Sequence, residues 1–201
     1  MRSILVTGVS GVGKTTLGRQ LASLTGIAVI EYADLMLDVL DGRDRAEIRR
    51  LSFAERQPIY AAVERRLREG LRRFSPDELV LLVVHLTVML RGQINPFPLT
   101  HYEAYRPAGV ILVEATPAAV RARRLADKSR AREDETEAQI RQQQIENRRI
   151  AAEIKRSLGA DTVCVQNNES TLCALHLVPW TRSVSGGIES VASNSKDCRP
   201  V

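Results

Sequence analysis

The stretch GVSGVGKT, Gly8 to Thr15, decides the fold. It satisfies the pattern G-x-x-x-x-G-K-[ST] at every fixed position, and its flanks supply the context that the pattern requires. Before it, SILVT (Ser3–Thr7) is a short apolar, β-branched run stopped by glycine, which predicts a buried strand. After it, KTTLGRQLASL (Lys14–Leu24) sets Leu17, Leu21 and Leu24 at helical spacing, with Gly26 where a helix stops. Strand, glycine loop and helix in that order predict a phosphate-binding loop; a Gly-rich turn with a solvated lysine would match the letters but not the flanks. Gly8, Gly11 and Gly13 permit the tight turn, so the loop's N–H groups, those of Ser10 and Val12 included, can surround a phosphate with a helix dipole behind them. Lys14 is expected to reach the β and γ phosphates of ATP, Thr15 to bind Mg2+ through its hydroxyl, and Thr16 to contact the α phosphate.

Outward from the loop, strands alternate with helices. IAVI (Ile27–Ile30) reads as a second strand leading into Tyr32–Leu40. Ser52–Phe74 carries Phe53, Ile59, Val63, Leu67 and Leu71 at amphipathic-helix intervals, and Pro58 predicts a start or kink there. ELVLLVV (Glu78–Val84) and GVILV (Gly109–Val113) have the continuous apolar character of central parallel strands. A Pro-containing loop is expected at Asn95–Leu99, helical periodicity over Pro117–Asp127, and a long polar helix over Glu135–Leu158, ended by Gly159 ahead of a last strand, Thr162–Val165. The fold class this predicts is α/β: a P-loop NTPase three-layer sandwich with a central parallel five-stranded sheet and a short helical lid. That domain is expected over residues 1–180. From Thr181 the sequence turns to Ser, Gly and Asn without apolar periodicity, which predicts a disordered tail over 181–201.

Composition narrows the partners. A chain of 201 residues with 44% hydrophobic content can bury one substantial core. The net charge of +5 suits either nucleic acid or a substrate rich in phosphate, but 4% aromatic content leaves little material for stacking bases, so nucleic acid is not expected. Cys164, Cys173 and Cys198 form no C-x-x-C pair, which fits a reducing, cytoplasmic compartment. The longest apolar run, Leu79–Leu90, is too short to span a bilayer, and MRSILVTG is not a signal peptide.

Arg121, Arg123, Arg124, Lys128, Arg130 and Arg132 crowd together after the fourth core strand, with Asp127 spaced to pair with Arg123 and Arg130. Such a run is either a solvated, salt-bridged helix face or a lid that delivers guanidinium groups onto a transferring phosphoryl. Arginine suits the second role because its planar fork matches phosphate oxygens.

Taken together, Gly8–Thr16, EYADLMLDV (Glu31–Val39), EIRRLS (Glu47–Ser52), LVEATP (Leu112–Pro117), RRLADKSRAR (Arg123–Arg132) and ENRRIAAE (Glu146–Glu153) make the sequence resemble the archaeal-type adenylate kinases, collinearly from the N-terminus to residue 168. The resemblance implies a nucleoside monophosphate kinase that uses ATP, Mg2+ and AMP. It implies Lys14, Arg124, Arg130 and Arg132 as catalytic residues, Arg148 as a further phosphate contact, and Tyr32, Asp34, Met36, Arg50 and His85 around the acceptor. Read without it, Arg50 is equally a surface arginine, Asp34 a helix cap, and His85 a core histidine. The sequence departs from the family in one place: the third core strand usually ends in an acidic residue before T-H, whereas here Val83 and Val84 precede His85. Glu114, at the end of the next strand, is the nearest carboxylate to replace it, or a brace for the phosphate loop. A related small-molecule kinase and a P-loop ATPase or nucleotide-binding switch stay open as alternatives, as does homo-oligomerisation.

Overall fold

The computed structural model describes residues 1–42, 48, 50–127, 134–167 and 170–184. Its elements run β1 (Arg2–Thr7), α1 (Lys14–Thr25), β2 (Ala28–Glu31), α2 (Tyr32–Leu40), α3 (Gln57–Leu71), β3 (Leu79–Val83), β4 (Thr87–Leu90), β5 (Gln93–Pro96), α4 (Leu99–Glu103), β6 (Pro107–Glu114), α5 (Pro117–Ala126), α6 (Glu137–Leu158), β7 (Asp161–Gln166) and α7 (Ser170–Val184). Five strands pair in parallel in the order β2-β3-β1-β6-β7. The ends of β1 and β3 meet at Val6 and Val83, beside the loop that β1 feeds.

The sheet is buried on both faces, so its strands read as nearly unbroken apolar runs. In β1, Leu5 faces one core with Tyr60, Val63 and Leu67 of α3 and Ile150 and Ile154 of α6. Ile4 and Val6 face the other, with Leu17 and Leu21 of α1, Val120 of α5 and Leu177 of α7. That alternation makes three layers, helices on either side of one sheet.

The punctuation in the sequence acts as read in most places. Gly26 and Gly159 cap α1 and α6 in the left-handed conformation, and Thr136 and Gln139 form a reciprocal capping box at the start of α6. Pro58 lies in the first turn of α3, so the helix begins there rather than kinking. Two expectations are corrected. Asn95 and Pro96 of the expected loop belong to β5, which forms an antiparallel hairpin with β4 turned at Arg91 and Gly92, whose φ values are 50° and 73°, and Leu99 opens α4. And the helix α7, unsignalled in the sequence, runs past the expected tail boundary: Thr181 is fully buried and Val184 is 8% exposed. Residues 185–201 of the expected tail lie outside the described residues.

Candidate active site

The loop between β1 and α1 turns through three glycines at positive φ: Gly8 at 143°, Gly11 at 79° and Gly13 at 103°. A side chain could not replace two of them. A Cβ at Gly8 would lie 2.2 Å from the Val113 carbonyl oxygen of β6, and one at Gly13 would lie 2.2 Å from Asn167 Nδ2. The loop is therefore pressed against the ends of the last two core strands. Asn167 donates from Nδ2 to the Val12 carbonyl at 2.7 Å, and its backbone N–H donates to the Glu114 carbonyl at 2.7 Å. Two arginines of α5 add to the brace. Arg123 donates to the carbonyls of Asn167 (2.8 Å) and Val12 (3.4 Å), and Arg124 donates from Nε to the Ser10 carbonyl at 2.8 Å. Lys14 is buried, its Nζ donating to the Val9 carbonyl at 2.9 Å. Thr15 and Thr16 follow in the first turn of α1. The carbonyls of Val9, Ser10 and Val12 are thus held by Lys14, Arg124 and Asn167, and a glycine loop with its lysine ahead of a helix N-terminus is an arrangement that fits the phosphates of a nucleotide.

A cleft of about 310 Å³ opens from this loop. Ser10 and Arg124 lie at its phosphate-loop end; Tyr32 and Met36 of α2, His85 after β3, and Phe97 and His101 by α4 line the rest. Tyr32, Met36 and His85, which the resemblance implied around the acceptor, all line this cleft. Asp34 and Arg50 do not line it: Asp34 is exposed, with Arg19 Nη2 at 3.9 Å, and Arg50 is exposed on the far side of a hydrogen bond from Arg91 to its carbonyl. Away from the phosphate-loop end, Arg56 does line the cleft, 7% exposed at the start of α3 and donating from Nε to the Leu51 carbonyl. No sequence signal separated it from its basic neighbours.

The few aromatic residues concentrate here. Phe97 stacks on His101 with centroids 4.9 Å apart and planes 17° apart, Tyr60 meets Phe97 edge-on at 5.2 Å, and Phe53 packs on both Tyr60 and Phe97. Behind them Glu64 accepts from the Tyr105 hydroxyl, and its Oε1 lies 3.0 Å from His101 Nε2. Burial, with Arg68 adding to it, pushes the His101 imidazole down to about 4, while burial pushes the Glu64 carboxyl up. The Tyr32, Tyr60 and Tyr105 phenols are raised, chiefly by burial, so these hydroxyls stay protonated.

Glu114 is 2% exposed and bound by Arg148 through both oxygens, at 2.6 and 2.8 Å, with Gln166 Nε2 at 3.2 Å. The Glu114 carboxylate is thus tied to α6 and β7, and Arg148 lies on it. The carboxylate that lines the cleft is Glu135, whose Oε2 accepts from Arg124 Nη1 at 2.6 Å. Arg124 Nη2 is buried without a hydrogen-bond partner among the described residues. Arg130 and Arg132, the other two expected lid arginines, lie outside the described residues.

A parallel sheet with a phosphate loop at its strand ends, basic residues around it and an adjoining cleft defines a P-loop kinase domain. Residues 7–141 match the sequence family described as AAA domain. Adenylate kinase from Thermoplasma volcanium is 31% identical over 179 residues, covering 84% of this chain and 92% of that one. Adenylate kinase from Thermococcus sibiricus is 31% identical over 173 residues, covering 83% and 86%. The chain belongs to this adenylate kinase family of P-loop kinases. Solved structures agree in fold: TT1252 from Thermus thermophilus has a TM-score of 0.56 at 20% identity, covering 94% of this chain and 98% of that one, and a gluconokinase from Sinorhizobium meliloti has 0.54 at 18%, covering 92% and 93%. Among the described residues no helix is long and apolar enough to cross a membrane.

Proposed function

We propose that the chain transfers the terminal phosphoryl group of ATP to AMP, giving two molecules of ADP. The observation that carries this reading is the continuity of one cleft, from Ser10 and Arg124 at the phosphate loop to the aromatic wall of Tyr32, Tyr60 and Phe97. A donor triphosphate on the loop and an acceptor with a flat base in the cleft would then face each other. The family's adenylate kinases support AMP as the acceptor.

In this reading the loop N–H groups and Lys14 bind and orient the ATP phosphates, and Thr15 holds Mg2+ through its hydroxyl. Bound Mg2+ would offset the negative charge of the ATP phosphates. Arg124, fixed on Ser10 and Glu135, offers its remaining nitrogen to the phosphoryl being transferred, where negative charge must be stabilised. Arg56 sits where an acceptor phosphate needs a counter-charge, and takes the role that the resemblance implied for Arg50. The apolar wall excludes water that would otherwise take the phosphoryl group.

Purified protein with MgATP, offered a panel of nucleoside monophosphates, gluconate and shikimate, tests the reading by the ADP formed. Turnover that needs AMP is the expected result. Transfer to a sugar or carbocyclic alcohol alone, or ADP release indifferent to every acceptor, would overturn it.

A further inference from the structure

We infer that the side-chain amide oxygen of Gln143 is a built acceptor for an N–H or O–H group of the molecule that receives the phosphoryl group. This deepens the nucleoside monophosphate reading and rests on it. Gln143, on α6, is 3% exposed and lines the cleft, yet its Oε1 has no hydrogen-bond partner among the described residues. A buried amide oxygen is costly to leave unpaired, so one on a cleft wall points to a ligand that pairs it.

The nitrogen of that amide is engaged from behind. Thr87 donates its only hydroxyl hydrogen to Asn147 Oδ1 at 2.8 Å, so its oxygen can only accept from Gln143 Nε2, at 3.1 Å. Thr87 is 2% exposed and Asn147 is 1% exposed, so water does not compete for these groups. The relay Asn147–Thr87–Gln143 therefore commits the amide nitrogen and leaves the oxygen unpaired on a side chain that lines the cleft. An ionised phosphate has no hydrogen to give it. Phosphate chemistry is served instead by the unpaired Arg124 Nη2, a donor on the same cleft. An unpaired donor and an unpaired acceptor in one cleft match a nucleotide, which brings anionic oxygens at one end and a base amine or ribose hydroxyl at the other. Gln143 is then a specificity-determining residue, and Thr87 positions it.

The test is kcat/KM for AMP, inosine monophosphate, 2′-deoxy-AMP and 3′-deoxy-AMP with the wild type, Gln143→Leu, Thr87→Val and Thr87→Ser. The wild type should prefer AMP to at least one analogue by about tenfold or more, because the analogue leaves the buried oxygen unpaired. Gln143→Leu should shrink that preference to within about twofold, since it removes the oxygen that discriminates. Thr87→Val should weaken it by freeing the amide to turn, and Thr87→Ser should keep it by restoring the hydroxyl. A lost preference against inosine monophosphate assigns the base amine as partner, and one against a deoxy compound assigns the ribose hydroxyl; both support the inference. The Thr87 pair carries the test if Gln143→Leu does not fold. Turnover of monophosphates with no such preference, or with one that neither Gln143→Leu nor Thr87→Val alters, overturns the inference alone. Absence of turnover with every monophosphate sinks the underlying reading as well.

Discussion

At Lys14 the ammonium group hydrogen-bonds to the Val9 carbonyl of its own loop, as the phosphate-binding lysine of such a loop is placed to do. Lys14→Ala is expected to abolish nearly all turnover while the melting temperature stays close to that of the wild type; a variant with normal kcat would dissolve the assignment of the loop. Asn167 differs, because its amide holds the Val12 carbonyl and fills the space that a side chain at Gly13 would need. Asn167→Ala should therefore weaken ATP binding by about tenfold, read by calorimetric titration, through loss of one buried hydrogen bond at the brace. His101 gives a pH signature. Its imidazole is neutral in the fold down to about pH 4 but takes a proton near pH 6.5 when unfolded. The unfolded chain thus binds more protons between those values, and His101 withdraws about 2 kcal/mol of stability by pH 5. Glu64, whose carboxyl is raised by burial, acts in the opposite sense as pH falls. Denaturant unfolding of His101→Gln at pH 7.5 and pH 5 should show its destabilisation relative to wild type shrinking in acid; an unchanged difference would mean that the imidazole is charged in the fold. The motif residues were legible because their spacing and flanks are set by the phosphate. Gln143, Asn167 and Arg56 were not, since a polar residue reads as solvated until the tertiary neighbour that buries it is known.

Helix α6 shows the same limit over a whole element. Its inward face carries Gln143, Gln144 and Asn147 between Ile140 and Ile150, so the apolar stripe that marks a packed helix is interrupted where the helix passes the cleft. Gln144 donates to the Ala115 carbonyl at 2.9 Å, and Arg148 grips Glu114 one turn further on, so α6 holds the end of β6 through polar contacts. Arg148→Ala would leave a carboxylate that is 2% exposed without its counter-charge, and should cost about 2 kcal/mol or more in denaturant unfolding. A loss confined to kcat, with stability intact, would instead assign Arg148 to the phosphates. The hairpin of β4 and β5 escaped notice because both residues of its turn have positive φ while the sequence there is Arg-Gly, without the Asn-Gly or Asp-Gly signal that usually announces such a turn. If Arg130 and Arg132 stabilise charge on the moving phosphoryl, alanine at either should lower kcat by at least about 100-fold with a far smaller effect on ATP affinity, and lysine should rescue only in part. Near-normal kcat in both alanine variants would leave them as a solvated helix face.

For the molecule as a whole, the question is where the folded unit closes. The parallel strands were legible because a sheet covered on both faces needs nearly continuous apolar runs, and Ser3–Thr7, Glu78–Val84 and Gly109–Val113 have them. The helix that covers one face at the C-terminal end was not, because STLCALHLVPWTRSV carries a proline inside it and runs straight into Ser- and Gly-rich sequence. In the fold that helix is a lid on the core. Trp180 lies over β6 so closely that a Cβ at Gly109 would meet its Cη2 at 2.6 Å, and its Nε1 donates to Asp161 at 2.8 Å. Beyond Trp180, Thr181 is fully buried, Val184 joins Ile4, Val6 and Ile111 in one core, and Arg2 donates to the Val184 carbonyl at 3.1 Å, tying the helix end to the first strand. The closing turn of α7 therefore belongs to the domain, whereas the sequence from 185 onward has no apolar pattern with which to join a core. Removing residues 185–201 should leave the melting temperature within about 2 °C of the full chain, and ATP affinity unchanged. Removing 181–201 should lower it by at least about 5 °C, because burial of Val184 and the tie to Arg2 are lost together. Calorimetry on the two truncations decides the boundary: equal melting temperatures would return it to Trp180, and a large drop in the shorter deletion would show that the segment after Val184 docks on the fold.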